Sequence, residues 1–228
     1  SVAPSIASCT APAGAGPALI WQAVQDGFGS DLEKLLRAQG YSPILASCAP
    51  AQISAVIAKA PPLQELIFLA SPAGQAGLDG LPVDGDLPAL LSAVQALVKT
   101  GQQPPRLWVV TSGAQPARGT APDPAQASLW GLAKTVSLEH PELRCACIDL
   151  DPADPNPAGS LWAEIASSTA GRAEPEIALR GGERLAARLA RVSLTRPEPP
   201  AENKTLSTAA PGALDSLAWQ TVPRAQPG

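Results

Sequence analysis

Residues 106–151 read RLWVVTSGAQPARGTAPDPAQASLWGLAKTVSLEHPELRCACIDLD. The opening RLWVVTS (106–112) is an apolar run of the kind found in strands buried on both faces. A polar loop containing Gly and Pro follows. Leu129, Leu132, Ala133 and Val136 then recur at helical spacing, and Pro141 stops that helix. LRCACIDL (143–150) reads as a second strand. Strand, helix and strand in one uninterrupted run form a βαβ unit, in which a crossover helix joins two parallel strands.

The same alternation extends to both sides. Towards the N-terminus, ALIWQAV (18–24) is a short strand, and Leu32, Leu35 and Leu36 mark a helix over 31–38. PILAS (43–47) is a strand, and Ile53, Val56 and Ile57 form a short helix stopped by Pro61-Pro62. ELIFLA (65–70) is a strand, and 71–85 is a Gly-, Pro- and Asp-rich loop. Leu87, Leu90, Leu91, Val94, Leu97 and Val98 give an apolar helix face ending near Gly101. Towards the C-terminus, Leu161, Trp162 and Ile165 mark another helix. PEIALR, Gly181-Gly182 and ERLAARLARV then read as a hairpin with a two-residue glycine turn. Strands alternating with helices imply an α/β fold: a mostly parallel sheet with helices on both faces and a C-terminal β-hairpin. Residues 1–17 and 195–210 read as linkers from their Ala, Ser, Pro and Glu content, and 211–228 as one strand without a partner.

The chain has 228 residues, 45% hydrophobic and 16% charged, with a net charge of −4. A mildly acidic chain without a basic face argues against nucleic acid as a partner. No apolar run reaches the roughly 18 residues of a membrane span, and the N-terminus lacks the basic start and apolar core of a signal peptide. The absence of methionine and the ends at Ser1 and Pro227-Gly228 suggest a piece excised from a longer chain. Of the four cysteines, Cys9, Cys48, Cys145 and Cys147, only Cys145 and Cys147 are close, and both point to one face of their strand. With one histidine and no CxxC pair, they read as structural, reduced thiols suited to a reducing cytoplasm.

An α/β fold directs attention to the first strand-to-helix turn, where glycines let a backbone approach a pyrophosphate. Here it is Gln25-Asp26-Gly27-Phe28-Gly29-Ser30-Asp31-Leu32. Leu32 stands at the third glycine position. Asp26 and Asp31 place negative charge where phosphates would sit, so the turn reads as a helix cap. His140, in Leu138-Glu139-His140-Pro141, reads as a helix C-terminal residue rather than a general base. Ser112 follows a strand but lacks the G-x-S-x-G elbow, since Val110 and Ala114 flank it. Trp108 and Trp130 read as core.

The phrase PAQASLWGLAKTVSLEHPEL followed by DLD resembles the structural half of the ketoreductase region of modular type I polyketide synthases. The likeness covers residues 18–194 and is most specific in 106–151. It implies a truncated, Rossmann-like subdomain that has lost its cofactor site and packs against a separate catalytic subdomain. Short-chain reductases of this kind use a tyrosine with a lysine four residues on. The only tyrosine here is Tyr41, with Leu45 four residues later. GALDSLAWQTVPRAQPG (212–228) resembles the opening of a polyketide synthase enoylreductase. Asp215-Ser216-Leu217 also matches the attachment triplet of acyl carrier domains, but Pro223 and Pro227 deny it the helix a carrier needs.

The resemblance therefore implies four segments: linker 1–17, ketoreductase structural subdomain 18–194, linker 195–210, and the first enoylreductase strand in 211–228. It implies no catalytic, cofactor-binding or metal residues in this chain, with NADPH expected in neighbouring reductase domains. The implied partners are the catalytic ketoreductase subdomain, the enoylreductase and an acyl carrier domain of one cytoplasmic polypeptide, with no nucleic acid or membrane. Two alternatives stand beside it: an NADP(H)-binding reductase domain, and a flavodoxin-like small-ligand module with its pocket at the carboxyl ends of the strands.

Overall fold

The computed structural model describes residues 16–72, 85–100, 103–119, 121–168, 174–189, 191, 203–208 and 217–222. Two compact units divide the chain, Ser1–Ala187 and Arg188–Gly228. The first contains strands β1 (Pro17–Gln22), β2 (Ser42–Ser47), β3 (Glu65–Leu69), β4 (Arg106–Ser112), β5 (Ala146–Leu150), β6 (Glu176–Arg180) and β7 (Glu183–Ala186). Its helices are α1 (Phe28–Ala38), α2 (Ile53–Lys59), α3 (Asp86–Lys99), α4 (Pro124–Glu139) and α5 (Pro157–Ser167). The strands form one sheet in the order β2-β1-β3-β4-β5-β6-β7, parallel except for the antiparallel β7.

Strand alternation explains the three layers. Leu19, Trp21, Leu66, Phe68, Leu107 and Val109 face one side, where they pack with α2, α3 and α4. Ala18, Ile20, Ile67, Leu69, Trp108 and Val110 face the other, against α1 and α5. Both faces are therefore covered, as a mostly parallel sheet requires. Trp21 stacks on Phe68 with ring centroids 4.4 Å apart. Trp108 and Trp130 are both buried, as the sequence indicated, and they lie on opposite sides of the sheet. Cys145 and Cys147 lie in one core and are free thiols, and burial pushes Cys145 up to about 12. Cys9 lies outside the described residues.

Local chemistry sets the element ends. Asp123 caps α4, its carboxylate accepting from the Ala125 and Gln126 N–H groups, and Pro124 opens the helix. Gly181 and Gly182 turn the β6–β7 hairpin with φ of 55° and 76°, the paired left-handed conformation of a two-residue hairpin turn. β7 ends at Ala186, well short of the apolar pattern that continues to Val192. β5 begins at Ala146 rather than Leu143, because Pro141–Leu143 form a 3-10 turn and Arg144 adopts a left-handed conformation. Most of the 71–85 loop lies outside the described residues.

The second unit corrects two expectations. Asn203–Thr208, inside the stretch read as the linker 195–210, is a strand, β8. It pairs antiparallel with β9 (Leu217–Val222), so the strand read as lacking a partner has one. Composition hid β8 because NKTLST is mostly polar; its threonines favour extended structure, and pairing supplies the rest. Asp215 and Ser216 lie outside the described residues.

Candidate functional site

In a doubly wound sheet, ligands bind beyond the carboxyl ends of the strands, where the strand order reverses. Here that point lies between β1 and β3. A cleft of about 290 Å³ runs from the turn after β1 across the carboxyl ends of β3, β4 and β5, with apolar walls including Phe28, Val110 and Leu150 and carboxylates Asp26, Asp151 and Asp154.

The glycine turn meets this cleft. Gly27 takes φ 89° and leads into α1, and the Asp26 carboxylate accepts the Phe28 N–H at 3.0 Å. A protein carboxylate thus occupies a donor that a dinucleotide would use. Gly29 is needed for a different close approach. A Cβ there would lie 2.0 Å from the Oε1 of Gln22, a buried side chain whose Nε2 donates to Ser47 Oγ at 2.8 Å. The two glycines serve a turn and a packed glutamine, and Asp26 adds charge repulsive to a pyrophosphate. These residues do not fit a dinucleotide.

The neighbouring strand ends are tied together by protein groups. Gln126 accepts the Ser112 N–H at 2.6 Å and donates to the Ser71 carbonyl at 3.1 Å, joining the end of β4 to the residues after β3. Asp86 accepts from the Ser71 N–H and hydroxyl at 2.6 and 2.9 Å. Burial pushes the Asp86 carboxyl above the usual range, and these two bonds oppose that rise.

Asp149, in the DLD phrase, is fully buried. It accepts from Thr111 Oγ1 at 2.7 Å, the Ala114 N–H at 2.8 Å and the Gln115 N–H at 3.0 Å, and pairs with Arg180. Arg180 also donates to the carbonyls of Asp149, Leu150, Leu179 and Gln115. Trp130 Nε1 donates to Thr111 Oγ1 at 3.0 Å. Asp151 accepts from the Gly181 and Ala153 N–H groups, which hold its carboxyl below the usual range. The DLD carboxylates therefore fasten β4, β5 and β6 to one another. Sequence reading missed Asp149 and Gln126 as structural anchors. The available signal was a charged residue within the apolar strand CACIDL, which requires a partner.

The other candidates lie apart. Ser112 lines the cleft. His140 caps the far end of α4, with Nδ1 3.1 Å from Glu142 Oε1. Tyr41 precedes β2 at the opposite end of the sheet and packs edge-on against Trp162 at 5.9 Å. Burial, with Glu65 adding, raises its phenol above the ordinary range. Ser112, His140 and Tyr41 are thus not assembled into a catalytic group. Among the described residues no helix is long and apolar enough to cross a membrane.

This doubly wound topology defines a Rossmann-like domain. The family described as "Polyketide synthase extender module SpnB, Rossmann fold domain" matches residues 10–189, and the chain belongs to it. It is 42% identical over 130 residues to the spectinabilin polyketide synthase system protein NorA' of Streptomyces orinoci, covering 55% of this chain and 3% of that protein. It is 38% identical over 139 residues to the pikromycin polyketide synthase component PikAIII of Streptomyces venezuelae, covering 58% of this chain and 9% of that one. Among solved structures it is similar to a C2-type ketoreductase from a modular polyketide synthase, with a TM-score of 0.63 and 26% identity. That match covers 79% of this chain and 42% of the ketoreductase. The chain thus spans a small part of its curated relatives and less than half of the solved ketoreductase.

Proposed function

We propose that this domain is the non-catalytic structural half of a polyketide synthase ketoreductase. It docks against the catalytic half, orients it, and so supports NADPH-dependent reduction of carrier-bound β-keto intermediates. The observation that carries this reading is the cleft at the carboxyl ends of the strands: the Phe28 and Ser112 N–H groups there are taken by Asp26 and Gln126, and its rim is acidic. A domain built this way holds neither NADPH nor a catalytic tyrosine.

Two further observations support docking. Leu91 and Val98 on α3 and Leu138 on α4 are exposed apolar side chains on adjacent helices. The solved ketoreductase has a large remainder that this chain does not match, and that remainder is the proposed occupant. Docking within one polypeptide proceeds at high effective concentration and stabilises both halves. The enoylreductase neighbour rests on the resemblance of 212–228, which includes β9.

Co-expression of the catalytic half with and without residues 18–194 tests the reading. Soluble, ketone-reducing protein is expected only when both are present; equal solubility and equal reduction in both cases would overturn it. The cleft itself favours a second reading, a small-ligand module of flavodoxin type. Saturable NADPH or flavin binding to this chain would support that alternative.

A further inference from the structure

The cleft at the carboxyl ends of the strands repels a pyrophosphate, yet its lining has a definite chemistry of its own. Phe28 opens α1 and Pro157 opens α5, and Val110 of β4 and Leu150 of β5 add to the apolar wall. Phe28, Val110 and Leu150 belong to the core on the α1/α5 side of the sheet. Among the described lining residues there is no lysine, arginine or histidine, whereas Asp26, Asp151 and Asp154 are all present.

The fold does not neutralise these carboxylates. Asp26 and Asp154 each use Oδ1 to accept an N–H, from Phe28 at 3.0 Å and from Asn156 at 2.8 Å. Among the described residues neither makes an ion pair. Arg180 acts on Asp151 but is itself paired with buried Asp149. The N-termini of α1 and α5 each bring about half a positive charge, which leaves the three carboxylates in excess. A second kind of acceptor adjoins them. A recess of about 10 Å³ shares Asp26, Phe28, Ala70 and Pro72 with the cleft and is also lined by Gln22. That is room for about one group the size of a water molecule. Gln22 is only 4% exposed; its Nε2 donates to Ser47 Oγ, and its Oε1 has no hydrogen-bond partner among the described residues. A buried acceptor without a donor is costly, and a donor entering the recess removes that cost.

We propose that this cleft binds a small organic cation, a primary ammonium on an aliphatic stem, with the ammonium in the recess between Gln22 and Asp26 and the stem against Phe28, Val110 and Leu150. An ammonium carries three donors and no acceptor, which matches an amide oxygen beside a carboxylate. It is also compact enough for the recess. A phenyl face next to that carboxylate favours a cation further. The cleft volume, about 290 Å³, is at the lower limit of small-molecule sites and suits a stem of a few carbons. The inference is independent of the docking role, whose exposed leucine and valine side chains lie on α3 and α4.

Calorimetric titration of the 228-residue chain at constant ionic strength tests the site, with n-hexylammonium as the probe. Nα-acetyllysine N-methylamide is the second arm. Saturable binding of either supports the proposal, and the tighter of the two identifies the source as a free amine or a lysine side chain of a polypeptide. Hexanol and hexanoate share the stem but lack the positive charge, and both should bind more weakly. Asp26→Asn keeps an oxygen for the Phe28 N–H and removes the charge. Exchanging a charge-assisted bond for a neutral one of about half its strength should weaken hexylammonium binding about tenfold, with Tm unchanged. Asp154→Asn, which acts only through the field, should weaken it less. Three results would each overturn the proposal: no saturable binding of either ammonium, hexanol or hexanoate binding as tightly as hexylammonium, or an Asp26→Asn titration identical to the parent.

Discussion

At the carboxyl end of the sheet, Asp149 is bonded by a hydroxyl, two N–H groups and Arg180, and Gln126 bridges two strand ends. At the amino end the contacts are fewer: Glu65 accepts from Trp108 Nε1, the Arg106 guanidinium lies over the Trp108 ring, and Arg106 Nε is buried without an acceptor. In a doubly wound fold the carboxyl end is where ligands bind. Here its polar groups have turned inward and hold the fold together. The position of a ligand crevice is a property of the topology; whether it can still receive a ligand depends on a few side chains.

The largest test of this contrast is Asp149→Ala. It strands buried Arg180 and frees three donors, and removal of one partner of a buried ion pair costs about 3–5 kcal/mol. Urea denaturation should show a loss of that size or failure to fold. A loss below about 1 kcal/mol, the level of an exposed pair, would mean that the carboxyl end is not locked by this network.

Gln126→Ala should cost about 1–3 kcal/mol, because the Ser112 N–H loses its acceptor and the Ser71 carbonyl its donor. The same denaturation experiment measures it. If the variant also gains saturable NADPH binding, the glutamine is a plug over a retained site, and the contrast between the two ends fails.

A smaller effect is expected from pH. Burial raises Asp86 in the folded state, so the folded protein binds more protons than the unfolded chain between the ordinary carboxylate range and that raised value. Its contribution therefore makes stability rise as pH falls through this window. Asp151 is held low and contributes the opposite sign, losing its stabilisation as pH falls through its lowered value. Asp86→Asn should remove the Asp86 share of the slope in Tm against pH; an unchanged slope would contradict the assignment.

The smallest effect on the isolated chain is expected at Leu138, 84% exposed on α4. Leu138→Gln should change stability by no more than about 0.5 kcal/mol, yet reduce co-purification with the catalytic half. Undiminished co-purification would move the docking face away from the exposed leucines.

Much of this architecture was legible in the chain. The period of Leu129, Leu132, Ala133 and Val136 marked α4, Pro141 marked its end, and Gly181-Gly182 marked the hairpin turn. These signals are local, since periodicity and backbone restriction act within a few residues. β8 was missed because its strand character depends on β9, across a connection, and its own residues are mainly polar. The start of β5 was misplaced because Arg144 gives no sign in its residue type that it will adopt a left-handed backbone.

The sequence by itself determined the alternation of strands and helices, the two apolar faces of the sheet and the absence of a second tyrosine. Only the tertiary structure decided that Gly29 makes room for Gln22, that Asp149 meets Arg180 from 31 residues away, and that the Arg106 guanidinium lies over the Trp108 ring. Apolar patterning is written along the chain because burial acts on each segment's own face. Pairing of buried polar groups is not, because each partner comes from a different strand and only the assembled sheet sets their distance.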